Sequence, residues 1–366
     1  MTAPQRIAVL GAGAIGAVHA RLVSALAETE GVLAAIVEVD PARARALAEP
    51  YRVPAFTTLA QARAEAGVDV VAICLPSAYH ADAAVEALES GLDVIVEKPI
   101  DIALDAADRV IAAERASGRT VSVISQRRFQ PAAAFLHRAI EDGELGRITS
   151  GVAESAFFRP QAYYDSGDWR GTAAIDGGGA LMNQGIHALD LLLWMLGTPV
   201  SVQAATGRVA HEGIEVEDVA GATITFANGA IGVLLASTAA YPGLPVRLAV
   251  HGDRGTGVME DDRLSVFAAA SGLAPGPDDV EERSVPEGWS AVDVAHLRQY
   301  RDVLDAIAQG RAPAITTRDG RRALQVVLAV YESARTGRPV ALEHDAAGDA
   351  PAARRAATPE PLKENA

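Results

Sequence analysis

The feature that most constrains this chain is an alternation at its start. Short runs that are apolar throughout, at 6–10, 33–39, 68–75, 92–96 and 120–124, trade places with helical stretches at 15–28, 41–48, 81–89 and 103–116. Strands apolar on both faces and separated by helices predict a parallel sheet covered on both sides. Gly11-Ala12-Gly13-Ala14-Ile15-Gly16 joins the first strand to the first helix as an unbroken G-x-G-x-x-G. In that position the first glycine permits a tight turn, the second lets a pyrophosphate approach the backbone, and the third lets helix and strand pack closely. The helix N-terminus adds oriented N–H groups and a partial positive charge.

Glu38 ends the second strand 22 residues after Gly16, where a carboxylate can accept from both hydroxyls of a ribose. Residues 1–128 are therefore expected to form a doubly wound Rossmann domain that binds a dinucleotide through Gly11, Gly13, Ala14, Ile15 and Glu38. NAD is favoured over NADP, because the carboxylate repels a 2′-phosphate and no arginine follows at once. Arg43 is placed to stack on adenine or, less readily, to neutralise a phosphate. Asp40-Pro41 reads as the N-cap and first residue of the next helix.

Beyond Pro131 the pattern changes. A helix to about 145 is followed by a strand at 149–158, an irregular stretch holding Tyr163, Tyr164, Trp169 and Arg170, and a strong helix over 180–196 opened by Gly177-Gly178-Gly179. Alternating runs at 221–226 and 230–236 meet across Asn228-Gly229, a hairpin signal of the type I′ kind. Helices near 292–308 and 319–336 complete an α+β domain over 129–344 with a mainly antiparallel sheet. From 345 to 366, Ala, Pro and charge without periodicity predict an unstructured tail.

Composition bounds the partners. A length of 366 residues suggests two domains, and a net charge of −15 disfavours nucleic acid. No apolar run approaches the roughly 20 residues of a membrane span, and the N-terminus lacks the pattern of a signal peptide. A single cysteine, Cys74 in an apolar run, excludes a disulfide framework and fits a buried residue in a reducing cytoplasm. Among 32 basic residues only Lys98 and Lys363 are lysines, and asparagine occurs only at 183, 228 and 365. Where arginine is the default cation, a lysine in the folded body calls for a reason.

Three motifs in order, the glycine turn, Glu97-Lys98-Pro99 after a strand, and GGGALMNQGIHALD over Gly177 to Asp190, make the chain resemble the Gfo/Idh/MocA family of sugar and polyol oxidoreductases. The resemblance runs from about residue 5 to 342. Pro76 to His80, Gln126-Arg127-Arg128-Phe129 and Trp169-Arg170 agree with it. It implies an NAD(P)-dependent dehydrogenase acting on CH–OH groups of a small carbohydrate, and a homo-oligomer, dimer or tetramer, with the sheet of 129–344 open, binding substrate and supporting oligomerisation. It also implies cofactor contacts at Pro76, Ser77, His80, Glu97, Lys98, Gln126, Trp169 and Arg170. Ser77 and Gln126 stand where the family often has asparagine.

Oxidising a secondary alcohol needs a cation for the developing oxyanion and a base for the hydroxyl proton. Lys98, at the C-terminal edge of a parallel strand, supplies a compact titratable charge, and the family places its second proton-handling residue at His187. Asn183, where many members carry aspartate, cannot be a base and is expected to hold a substrate hydroxyl by donor and acceptor. Asp190 can orient His187 or bond the backbone. Arg128, Tyr163, Tyr164, His296 and Tyr300 are candidate sugar contacts. Gly185 within the helix suits either close ligand approach or close packing. His211-Glu212 with Glu217-Asp218 offers metal-like residue types but reads as a solvated strand end, so no metal is expected. Two other functions compete with net hydride transfer: tightly held NAD recycled during elimination or epimerisation, and a non-catalytic NAD sensor.

Overall fold

The computed structural model describes residues 4–343, so the tail expected from 345 lies outside the described residues. The first half contains β1 (Gln5–Leu10), α1 (Ala14–Ser24), β2 (Gly31–Val37), α2 (Pro41–Ala48), β3 (Ala55–Phe56), α3 (Leu59–Ala66), β4 (Val70–Ile73), α4 (His80–Glu89), β5 (Asp93–Val96), α5 (Leu104–Ser117) and β6 (Val121–Val123). The six strands form one parallel sheet in the order β3-β2-β1-β4-β5-β6. Asp40 caps α2 through the N–H groups of Ala42 and Arg43, as expected.

Ile7, Ala8 and Val9 have no exposed surface, and successive residues feed opposite layers. Ala8, Val71 and Val94 face α4 and α5, whereas Ile7, Val9, Val70 and Ala72 face the other core. That second core contains Tyr300, Val303 and Leu304 of α10 (Ala291–Gln309). A helix from near the chain's end thus completes the cover of the sheet beside α1.

The remaining elements are α6 (Pro131–Glu141), β7 (Ile148–Ala156), a short α7 (Gln161–Tyr164), α8 (Ile186–Leu196), β8 (Pro199–Gly207), β9 (Val219–Phe226), β10 (Ile231–Ser237), β11 (Arg247–Gly252), β12 (Gly255–Glu260), β13 (Arg263–Ala269), a one-turn α9 (Pro277–Val280), α11 (Thr317–Thr336) and β14 (Val340–Ala341). Eight strands form an open sheet in the order β13-β12-β11-β7-β10-β9-β8-β14. Its pairs are antiparallel except β7 with β10. One face packs on α8 and α11. No helix among the described residues is long and apolar enough to cross a membrane.

Two local expectations need correction. The β9–β10 hairpin forms, but its turn is not type I′: Gly229 alone takes a positive φ, +85°, and Asn228 does not. The Gly229 N–H closes a turn onto the Phe226 carbonyl. Asn228 acts through its side chain, donating to the Leu196 carbonyl and accepting from the Ala230 N–H. Nor are Glu217 and Asp218 a solvated strand end, because both are buried. Asp218 gathers the N–H groups of Val209, Ala210 and His211. Glu217 accepts from the N–H groups of Gly179 and Leu181 and from the Tyr331 hydroxyl, which ties β9 to the start of the helix beyond the glycine run.

Candidate active site

The glycine turn divides its tasks as the spacing predicts. Gly11 has φ +105°, and a Cβ there would lie 2.5 Å from the Cys74 carbonyl oxygen; one on Gly16 would lie 1.9 Å from that of Gly11. A Cβ on Gly13 would meet nothing within 4 Å, which leaves the approach to the N-terminus of α1 open. Beside the turn, the two oxygens of Glu38 accept from the N–H groups of Ala12 (2.9 Å) and Asp40 (3.3 Å). Arg43 folds over them, 3.8 Å from Glu38 Oε2 and 3.4 Å from the Ala12 carbonyl. The residues present fit a dinucleotide: an open cradle of N–H groups, with a carboxylate at the end of the second strand.

Lys98 leaves the C-terminal end of β5 in a cis peptide with Pro99. Its Nζ donates to the Asn183 carbonyl at 2.9 Å. That carbonyl lies in a π turn, Leu181–Gly185, which leads into α8. Such wide turns recur at functional sites. The π turn thus closes on Lys98, and Lys98 and His187 line one cavity. Burial lowers the Lys98 ammonium below its ordinary range and Arg159 adds to that, while Glu97 and Asp176 oppose it. His187 makes no hydrogen bond among the described residues. Burial, then Lys98 and Arg127, hold it well below the ordinary histidine range, so it stands as a neutral imidazole at pH 7.

Asn183 differs from the expectation of a donor and acceptor. Its Nδ2 donates to Asp176 Oδ1 at 2.7 Å and to the Gly178 carbonyl at 3.3 Å, which leaves Oδ1 as its open group. Asp176, which also accepts from the Gly171 N–H, was not singled out from the sequence. Its only signal was a carboxylate directly before the glycine run. Gly185 is explained by packing, since a Cβ there would lie 2.6 Å from that of Ala236.

Asp190 neither orients His187 nor bonds the backbone. Arg128 holds both its oxygens, at 2.8 and 2.6 Å, and reaches Asp319 on α11 at 3.1 Å. Arg128 is buried and fully engaged there, and Tyr164 is likewise buried, bonded to the Thr238 hydroxyl at 2.8 Å. His80 spans the Pro99 and Leu75 carbonyls with its two nitrogens. Ser77 and Gln126 are buried, and Pro76 leads into the short turn that carries Ser77. The Arg170 guanidinium lies 4.4 Å over Tyr163 and 4.5 Å over Trp169.

Tyr300 and His296 lie beneath Glu97 in a cluster that sequence spacing did not assemble. His19 contacts the Tyr300 hydroxyl at 2.6 Å through Nδ1 and donates to Glu97 at 3.0 Å through Nε2. Burial opposes charge on both His19 and Glu97. Even so, Cys74, Tyr300 and the Glu97 hydrogen bond raise His19 well above the ordinary range, and His19 and Lys98 hold Glu97 far below its own. His296 Nε2 lies 4.0 Å from the same carboxylate. Metal-ligand atoms of His19, Glu97 and His296 lie within 4.8 Å of one another, but the close contact among them is already a hydrogen bond.

Comparison with known proteins identifies the family. Residues 5–125 match the oxidoreductase family with an NAD-binding Rossmann fold, and residues 134–258 match the Gfo/Idh/MocA C-terminal domain. The chain belongs to the Gfo/Idh/MocA family of NAD-binding oxidoreductases. It is 30% identical to D-apiose dehydrogenase of Paraburkholderia graminis, over 85% of this chain and 83% of that protein. It is 28% identical to inositol 2-dehydrogenase of Rhizobium meliloti, over 92% and 99%. The WlbA dehydrogenase from Bordetella pertussis, solved with NADH and UDP-GlcNAcA, superposes with a TM-score of 0.82 at 28% identity, covering 93% of this chain and all of that one.

Proposed function

We propose that this protein is an NAD-dependent dehydrogenase that exchanges a hydride with a secondary ring hydroxyl or ketone of a sugar, inositol, glycoside or sugar derivative. The observation that carries this reading is the meeting of Lys98 with a neutral, unbonded His187 around the Asn183 turn. In the oxidation direction His187 accepts the hydroxyl proton while the Lys98 ammonium stabilises the growing negative charge on the oxygen. Asn183 Oδ1 accepts from a neighbouring hydroxyl of the ring. When bound, NAD supplies the hydride acceptor at nicotinamide C4. The inositol and apiose dehydrogenases among its relatives support a polyol or sugar as the substrate class.

On this reading Gly11, Gly13, Ala14 and Ile15 face the phosphates, and Glu38, released from Ala12 and Asp40, takes the adenosine ribose with Arg43 above it. Pro76, Ser77, Glu97, Gln126, Trp169 and Arg170 line the rest of the cofactor. We assign Arg128, Tyr164 and His80 to support of the site, because their polar atoms are already engaged. Ile231, Val233 and Leu235 form an exposed stripe along β10 on the open face of the eight-stranded sheet, between 40% and 50% exposed, and we infer that a second copy of the chain covers it. A reducing, NAD-supplied cytoplasm is the implied location. The test is a panel of sugars, inositols and their acids, with nicotinamide reduction and product followed together. Reduction in step with product supports net hydride transfer; product without accumulated reduced cofactor would replace it with the recycled-NAD function.

A further inference from the structure

We propose that the substrate carries an anionic group, a carboxylate or a phosphate ester, that seats on the Arg159 guanidinium, which shares the Tyr163 ring with Arg170. The proposal rests on the dehydrogenase reading above and names the substrate class within it. Its starting point is a difference among the arginines near the site. Arg128 is paired bidentately with Asp190, Arg43 lies against Glu38, and Arg21 is bonded to Asp293 at 2.6 Å. Arg159 makes no ion pair among the described residues, and its Nε is buried without an acceptor; Arg127, whose Nε and Nη1 are also buried without one, still lies 3.9 Å from the Asp261 carboxylate. In a chain with 47 acidic and 32 basic residues, a guanidinium left without a carboxylate is the opposite of what composition favours.

The group is also held in place. Arg159 follows β7, its N–H donates to the Thr238 carbonyl at 2.8 Å, and its own carbonyl accepts from His211 Nε2 at 2.7 Å. The guanidinium lies 5.0 Å over the Tyr163 ring and 5.6 Å over Phe157. Two aromatic faces and a fixed backbone therefore orient a planar fork of donors whose geometry matches a carboxylate or phosphate. A buried donor with no partner marks a place where a ligand can complete the bonding. The charge is felt at the reacting end of the site, because Arg159 is among the groups that disfavour the Lys98 ammonium. An anion bound at Arg159 offsets that repulsion and so favours the charged form of Lys98 that stabilises the substrate oxygen.

The experiment uses the full chain loaded with NAD and isothermal titration with D-glucose, D-glucuronate and D-glucose 6-phosphate, and with D-galactose and D-galacturonate. An acid or phosphate binding at least tenfold more tightly than its neutral parent is expected, and the better of the two anionic forms identifies the group. Arg159→Gln should bring that ligand to the level of the parent, while Arg159→Lys retains part of the preference; NAD affinity and the thermal midpoint stay unchanged in both. Neutral parents that bind as tightly, or anionic forms that fail to bind at millimolar concentration, would overturn the proposal. So would an Arg159→Gln variant that loses affinity for NAD rather than for the anion. Because binding is read without turnover, failure of the dehydrogenase reading shows separately, as bound sugars that never reduce the cofactor.

Discussion

His19 and His187 both feel the Glu97 carboxylate and are treated in opposite ways. His19 has both nitrogens engaged, by Tyr300 and Glu97, and is held as a cation. His187 has neither engaged and is held neutral. The contrast extends to their surroundings: beneath the sheet edge, His19, Glu97 and Tyr300 close on one another, whereas on the Lys98 side His187, Asn183 Oδ1, Arg127 Nε and Arg159 Nε stay open. Polar groups that satisfy each other fix a frame, and those left unsatisfied within reach of it are available for chemistry.

The sharpest way to break this comparison is to remove an open group. Lys98→Ala should cost on the order of 10²–10⁴ in kcat with folding intact, and His187→Gln a loss in the same range. Steady-state rates and the thermal midpoint separate these variants from unfolded ones.

A closed group should fail differently. Arg128→Leu leaves Asp190 and Asp319 without their shared partner and should cost about 3–5 kcal/mol, read by denaturant unfolding. An unchanged midpoint would mean that the pair does not fix the frame.

The two kinds of histidine also predict opposite slopes of stability with pH. The folded-state pKa of His296 is lowered to about 4, mainly by burial and then by His19, and that of His137 to about 4, mainly by burial and then by Arg128. As pH falls below 6.5 the unfolded chain takes up protons that these residues refuse, so stability declines towards pH 4, by about 3 kcal/mol for each such group. His19, raised in the folded state, contributes fully below pH 6.5 and loses its contribution as pH rises through its folded pKa. Stability should peak near pH 6.5; His296→Gln should flatten the acid side and His19→Gln the alkaline side, as measured by melting curves.

The smallest expected effect lies at the nucleotide end. Glu38→Ala should weaken NAD by about tenfold and narrow the preference over NADP, because it removes a carboxylate that binds the ribose and repels a 2′-phosphate. Cofactor titrations check both changes.

Much of the fold was legible because its signals are local. Fully apolar strands, glycine spacing and the Asp40 cap are properties of neighbouring residues, and the strands and long helices located from the sequence form close to where they were expected, whereas β8 and β11 to β13 were not located. Residues 55–66 were missed because β3 has only two residues and the buried side of α3 is largely alanine, which gives weak periodicity. The site was legible at Lys98, Asn183 and His187 through motif and scarcity. Asp176, the Arg128 partnership of Asp190, the burial of Glu217 and the cluster under Glu97 were not. Each depends on a contact between distant parts of the chain: 62 residues separate Arg128 from Asp190, and 281 separate His19 from Tyr300. Local spacing carries no record of such pairings.

The proposed function turns on Lys98 and the unbonded His187 moving the proton for hydride transfer. The most direct measurement is a single-turnover reduction of bound NAD by an active sugar, followed by stopped-flow absorbance from pH 5 to 10 in the wild type, Lys98→Ala and His187→Gln. The wild-type rate should be flat around pH 6.5, fall at lower pH where His187 takes a proton, and fall again towards alkaline pH as the Lys98 ammonium, lowered by burial, loses its own; both variants should bind NAD normally but reduce it at least a hundredfold more slowly. A His187→Gln variant that reduces NAD at the wild-type rate with the same acid limb would contradict the account.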